Sequence, residues 1–182
     1  MKTESTARYV ARLAITLLLI TSVVAAALAG INAITKDKIA AIKQANTLAA
    51  IEAVLPGGGS EVAVSGNAGN VKKVYQSDAG YAIQVTPSGF GGTIDMMVGV
   101  AKDGSVLGIS IISHSETAGL GAVAAADTSA GQAFRSQFAG MSGTLAVSKD
   151  GGQVEAITGA TITSRAVTGA VNEAVAYAAA LG

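Results

Sequence analysis

The chain has 182 residues, 50% of them hydrophobic and 13% charged, with a mean hydropathy of +0.49, too apolar for a disordered segment. Lys plus Arg and Asp plus Glu number 12 each, so the basic excess of a nucleic-acid binder is missing. With no cysteine and one histidine, His114, disulfides, thiolate zinc sites, Cys-ligated clusters, Cys nucleophiles and multi-histidine metal sites are all excluded.

Residues 1–12 carry Lys2, Glu4, Arg8 and Arg12, and the 22 residues from Leu13 to Ile34 carry no charge. As a helix, a stretch of that length reaches roughly 33 Å, enough to cross a hydrocarbon core of ~30 Å. Lys36, Asp37, Lys38 and Lys43 follow, so the flanking charge is nearly balanced and does not set orientation by itself. A first span behind a short charged N-terminus places that terminus in the cytoplasm and the remaining chain outside. Ala27-Leu28-Ala29 before Gly30 also satisfies the small-x-small rule of a cleaved signal peptide. Both readings put the globular part on the outer side of the cell membrane, and the span length favours a retained anchor.

Residues 35–59 read as a helical stalk and linker. Ile39, Ile42, Leu48, Ile51 and Leu55 recur at helical spacing, and Pro56-Gly57-Gly58-Gly59 stops the helix. Residues 60–182 change texture, to short apolar runs between glycines. Runs 71–76, 81–86, 93–100 and 106–112 are predicted strands. Tyr81, Ile83 and Val85 alternate with Ala82, Gln84 and Thr86 as in a half-buried strand, and Asp103-Gly104 marks a hairpin. A helix is predicted over 130–139, a short strand near 145–147, and a final helix from about Ser164 to Leu181. The expected fold is α+β: one N-terminal transmembrane helix followed by a single antiparallel-rich domain.

Two segments carry more chemical information than the pattern of elements. Ser113-His114-Ser115-Glu116-Thr117-Ala118-Gly119-Leu120-Gly121 follows the most apolar strand, and its glycines let backbone approach a ligand closely. An ordinary polar turn fits it equally, and His114 alone points to no ligand. Thr158-Gly159-Ala160-Thr161-Ile162-Thr163-Ser164 opens the last helix. Its hydroxyls suit helix capping, and the same helix end suits a phosphate. Neither a GxxxxGK[ST] loop nor a strand-borne GxGxxG is present, so Rossmann or P-loop nucleotide binding has no support.

Taken together, GFGGTIDMMVGVAKDGSVLGISIISHSETAGLGA (residues 89–122) and KDGGQVEAITGATITSRAVTGAVNEA (residues 149–174) resemble the FMN-binding domain of the G subunit of the Rnf complex. The related C subunit of sodium-pumping NADH:quinone reductase shares both elements. The resemblance implies an FMN held covalently, through a phosphoester, by the threonine that ends T-G-A-T, here Thr161. Thr158, Gly159, Ala160, Thr163 and Ser164 then surround the attachment point. Glu116, Thr117, Gly119, Leu120 and Gly121 are the implied contacts from the other loop, and Leu120 or Met141 the candidates for touching the ring. A flavin transferase, taking FMN from FAD with magnesium, is the implied partner in maturation. The implied role is a redox subunit, without catalysis of its own, of a ferredoxin:NAD(+) oxidoreductase that moves Na⁺ or H⁺ with the help of other membrane and peripheral subunits. A stand-alone exported flavin carrier or sensor shares the same attachment motif. The chain departs from the family pattern at Ala118, where proline is usual, and at Glu155, where aspartate is usual.

Overall fold

The computed structural model describes residues 6–66 and 68–181; Lys2 and Glu4 fall outside them. The chain divides into two units between Gln44 and Ala45, and helix α1 (Thr6–Val54) runs through the division. In the first unit the apolar side chains of α1, among them Leu13, Leu18, Val23 and Ile31, are exposed on all faces. Thr16, Thr21 and Thr35 donate back to the carbonyls of Arg12, Leu17 and Ile31 at 2.8, 3.0 and 2.8 Å. Such back-bonding satisfies a hydroxyl where no water is present. Among the described residues, α1 is the one helix long and apolar enough to cross a membrane.

The second unit is α+β. Strands β1 (Ser60–Val62), β2 (Val71–Gln76), β3 (Gly80–Val85), β4 (Asp95–Ala101) and β5 (Val106–Ser113) form one antiparallel sheet whose spatial order follows the chain. β4 and β5 are joined by the expected hairpin. Gly104 takes φ +83° there, and Asp103 accepts from the amide and hydroxyl of Ser105 at 2.9 and 2.6 Å. These bonds hold the Asp103 carboxyl below its ordinary pKa. β1 is a strand that periodicity does not signal. The predicted strand at 145–147 reduces to one parallel bridge between Val147 and Val154. Glycines 151 and 152 turn the chain too soon for a longer ladder.

Both sheet faces are covered. On one lie helix α2 (Ser129–Ser136) and helix α3 (Thr161–Ala179), whose Phe134, Val167, Val171 and Ala174 bury Val74, Ile83, Val85, Met96 and Val98. α2 stops short of the predicted 139, yet Phe134 and Phe138 still meet edge to face with centroids 5.5 Å apart. On the other face, Ala50, Ile51, Val54 and Leu55 cover Ala82, Met97 and Ile112. The half-buried reading of β3 is therefore corrected: all six of its residues are buried. Small and polar residues at Ala82 and Gln84 reflect close contact with a second layer, and Gln84 donates to Asp95 at 2.6 Å. Ile39, Ile42 and Leu48 stay exposed, so only the last turns of the expected stalk face find apolar partners.

The seat of these last turns is Gly99, where an added Cβ would overlap the Val54 carbonyl oxygen. Gly99→Ala should therefore destabilise the detergent-solubilised chain by about 1–3 kcal/mol, as overpacking against backbone does. Thermal melting measures the loss, and an unchanged midpoint contradicts the close approach.

Candidate functional site

The two informative segments meet at the mouth of α3. The first leaves β5 at Ser113 and turns at Gly119, where φ is +74°. It closes with Leu120 and Ala122 donating to the Thr117 carbonyl at 3.2 Å each, and a 3₁₀ turn over Gly121–Ala125 follows. The second folds back at Gly159, φ +77°, where an added Cβ would stand 3.0 Å from Leu120 Cδ2. Neither position tolerates a side chain without strain.

Glu116 ties the pieces together. It is only 9% exposed. One carboxylate oxygen accepts from the Thr163 hydroxyl at 2.5 Å, and the other accepts from the Gly91 amide at 2.9 Å. Room for it exists because Gly89 and Gly121 lack side chains: a Cβ at either would overlap the carboxylate. Gly91 belongs to a tight turn closed by the Gly89 amide on the Gly92 carbonyl at 2.7 Å, with Phe90 at its tip, 70% exposed. His114 is exposed, and its Nδ1 accepts from the Glu116 amide at 3.2 Å. That is a turn-stabilising role.

The three hydroxyls of the helix mouth differ sharply. Ser164, fully buried, accepts from the Ile157 amide and donates to the Ala160 carbonyl, both at 3.0 Å. Thr163, also buried, is committed to Glu116. Thr161 is half-buried at the first position of α3, and its Oγ1 accepts from Lys149 Nζ at 3.0 Å. The expectation that a hydroxyl caps this helix is corrected. The cap position is Ala160, which has no side-chain acceptor. The amides of the first turn thus retain the anion-binding character of a bare helix N-terminus.

Around Thr161 opens a cleft of about 360 Å³, lined by Phe90, Glu116, Thr117, Leu120, Gly121, Gly159, Ala160, Ile162 and Thr163. Phe90, Ile162 and Leu120 form an exposed apolar rim. Of the residues singled out in the sequence, Thr158 and Gly119 instead line a neighbouring apolar cleft of about 550 Å³, with Val123, Phe134 and Ile157. Ser164 is buried and lines neither. Met141 packs against the core and lines a different cavity. Phe90 and Lys149 were not expected there. An aromatic flanked by glycine on each side, outside any periodic run, was the available signal for Phe90.

Lys149 is carried on the short turn Ser148–Asp150. Asp150 and Arg165 pair through two bonds of 2.6 Å, which pins this turn to α3 one helical turn beyond Thr161. The Arg165 guanidinium lowers the Asp150 pKa, and Asp150 raises that of Arg165. Because the folded carboxyl is depressed, the pair holds from neutral pH down through the ordinary carboxylate range and opens only as pH falls through the lowered value. Glu155, one of the two departures, accepts from the Ser148 hydroxyl at 3.2 Å and so braces the same turn.

Residues 89–176 match the FMN-binding domain family. Over 99 residues the chain is 46% identical to the G subunit of the proton-translocating ferredoxin:NAD(+) oxidoreductase complex of Clostridium ljungdahlii, covering 52% of this chain and 51% of that protein. Over 98 residues it is 40% identical to the G subunit of the Na(+)-translocating ferredoxin:NAD(+) oxidoreductase complex of Acetobacterium woodii, covering 51% and 46%. Over 189 residues it is 31% identical to the G subunit of the ion-translocating oxidoreductase complex of Methanosarcina acetivorans, covering 97% of this chain and 98% of that one. The chain belongs to the G-subunit family of ion-translocating oxidoreductase complexes. The alignments to the Clostridium and Acetobacterium proteins span about half of each relative, whereas the Methanosarcina alignment spans helix α1 as well. In this family member the matched region begins at the Phe90 turn and ends inside α3, so it contains every residue lining the Thr161 cleft.

Glu116→Ala leaves the Gly91 amide and the Thr163 hydroxyl without their partner, which costs about 1–3 kcal/mol for buried groups. Glu116→Gln keeps a hydrogen-bonding group on each side and should lose less than half as much. Urea denaturation of the two variants tests this, and equal losses contradict the bridging role.

Proposed function

We propose that this chain is the flavin-carrying electron-transfer subunit of an Rnf-type ferredoxin:NAD(+) oxidoreductase complex, with one FMN esterified through its phosphate to Thr161. The observation that carries the reading is the division of labour among the hydroxyls. Thr163 and Ser164 spend theirs inside the protein, and Thr161 presents its own beside an apolar-rimmed cleft.

The residues present fit such a group. The small Gly121, Gly159 and Ala160 leave room for a planar ring, and Phe90, Leu120 and Ile162 offer it apolar contact. The uncapped start of α3 and the Lys149 ammonium favour a phosphate at Thr161. When bound, FMN supplies reversible electron transfer. The protein's own part is to hold the group, limit its exposure to water on one side and keep it from diffusing away. The scarcity of His and the absence of Cys accord with a relay that needs no acid–base or thiol residue.

In this reading residues 1–12 are cytoplasmic, residues 13–34 cross the cell membrane, residues 35–59 connect, and residues 60–182 lie outside. The span holds no ionisable side chain, so Na⁺ or H⁺ passes through partner subunits. The partners are the other membrane and peripheral subunits of the complex, together with a flavin transferase during maturation.

Intact mass and in-gel flavin fluorescence test the attachment. Chain made with a flavin transferase should be heavier than the bare polypeptide by one FMN less one water, and Thr161→Val should stay at the bare mass. A fluorescent, heavier Thr161→Val chain overturns the assignment. Gentle extraction from the native membrane should bring several multi-span subunits with the chain, whereas isolation alone favours a stand-alone carrier.

A further inference from the structure

Lys149 has no role in the reading above beyond a general attraction for phosphate, yet its placement is specific. Its ammonium is 3.0 Å from Thr161 Oγ1. Its turn is fixed from three directions: Asp150 to Arg165, Ser148 to Glu155, and the Val147 carbonyl to the amides of Asp150 and Gly152 at 2.8 and 3.0 Å. Gly151 supplies a φ of +82°, and at Gly152 any Cβ would overlap the Ala146 carbonyl. The neighbouring carboxylates are occupied. Asp150 is spent on Arg165, Glu155 faces Ser148, and no carboxylate among the described residues pairs with Lys149. A long side chain is thus carried on a turn held at several points, with its charge directed at one hydroxyl.

We infer that Lys149 is a positioning residue for loading Thr161: it orients the hydroxyl for attack and then pairs with the phosphoester it forms. The inference rests on attachment at Thr161. In the step, the Thr161 oxygen bonds to the FMN phosphorus of FAD and the phosphorus–oxygen bond to the AMP half breaks. AMP leaves with that electron pair, and the hydroxyl proton passes to solvent. Because the ammonium donates to Oγ1, the hydroxyl hydrogen must point elsewhere, toward an approaching base. The same positive charge lowers the cost of negative charge building on the oxygen. Once the ester has formed, its remaining negative charge sits beside a cation already in place, with little further ordering needed. The Asp150–Arg165 pair matters because it prevents the turn from swinging away.

The test uses full-length chain in detergent, FAD, Mg²⁺ and a purified flavin transferase, with the rate of mass gain followed over time. Lys149→Ala should slow attachment about tenfold, the effect of losing one charge-assisted hydrogen bond in a transition state. Lys149→Glu should slow it further, and Lys149→Arg should recover most of the rate. Asp150→Asn should fall between wild type and Lys149→Ala. The unloaded Lys149 variants should melt with the wild type, because Lys149 is exposed. After loading, the rise in melting temperature should be smaller in Lys149→Ala. Wild-type rates in Lys149→Ala and Lys149→Glu, with Thr161→Val still unloaded, overturn the role of Lys149 and leave the attachment point intact. Equal slowing in Lys149→Arg and Lys149→Ala overturns the charge-based role. Loading of Thr161→Val overturns both.

Discussion

The Glu116 carboxylate holds the functional end of this molecule together. Its two oxygens join three segments distant in sequence: the Phe90 turn through Gly91, the loop after β5 that carries Glu116 itself, and the mouth of α3 through Thr163. A buried carboxylate is costly unless its lone pairs are used; here each oxygen has a partner. The glycines at 89 and 121 pack directly against it. They serve this carboxylate as much as any ligand, because larger residues would push it out of line with both partners.

That constraint separates residues that build the site from residues that face it. Glu116, Thr163 and Ser164 are builders, with side chains consumed inside the protein. Phe90, Leu120, Ile162 and Thr161 are the surface that results. The polar residues of both motifs thus leave an apolar-rimmed cleft with the Thr161 hydroxyl and the Lys149 ammonium at its edge. Such an opening suits a flat, largely apolar group tethered at one end, and would serve a polar substrate poorly.

Much of this was legible in the residues. The 71–76 strand, the Asp103-Gly104 hairpin and the uncharged run from Leu13 to Ile34 follow from composition and periodicity alone. The site residues came from two short motifs, whose meeting in space periodicity could not foresee. The departures have physical causes. β3 looked half-buried because Ala82 and Gln84 are not strongly apolar, yet a second layer from the end of α1 lies on them. β1 is too short to show a period. The run at 145–147 looked like a strand, but Gly151 and Gly152 turn the chain soon after it and leave a single bridge. A single ammonium contact across 12 residues leaves no periodic trace.

The strand order has a consequence for how the molecule matures. Each strand pairs with its neighbour in sequence, so the meander can assemble from local hairpins as the chain is made. The cleft cannot, because one wall comes from the loop after β5 and the other from α3, which is synthesised only after the whole sheet. A half-finished chain therefore has strands paired and the surroundings of Thr161 still unformed. Docking of the last helix is thus the event that completes the site: a chain in which it has failed has its sheet and no cleft.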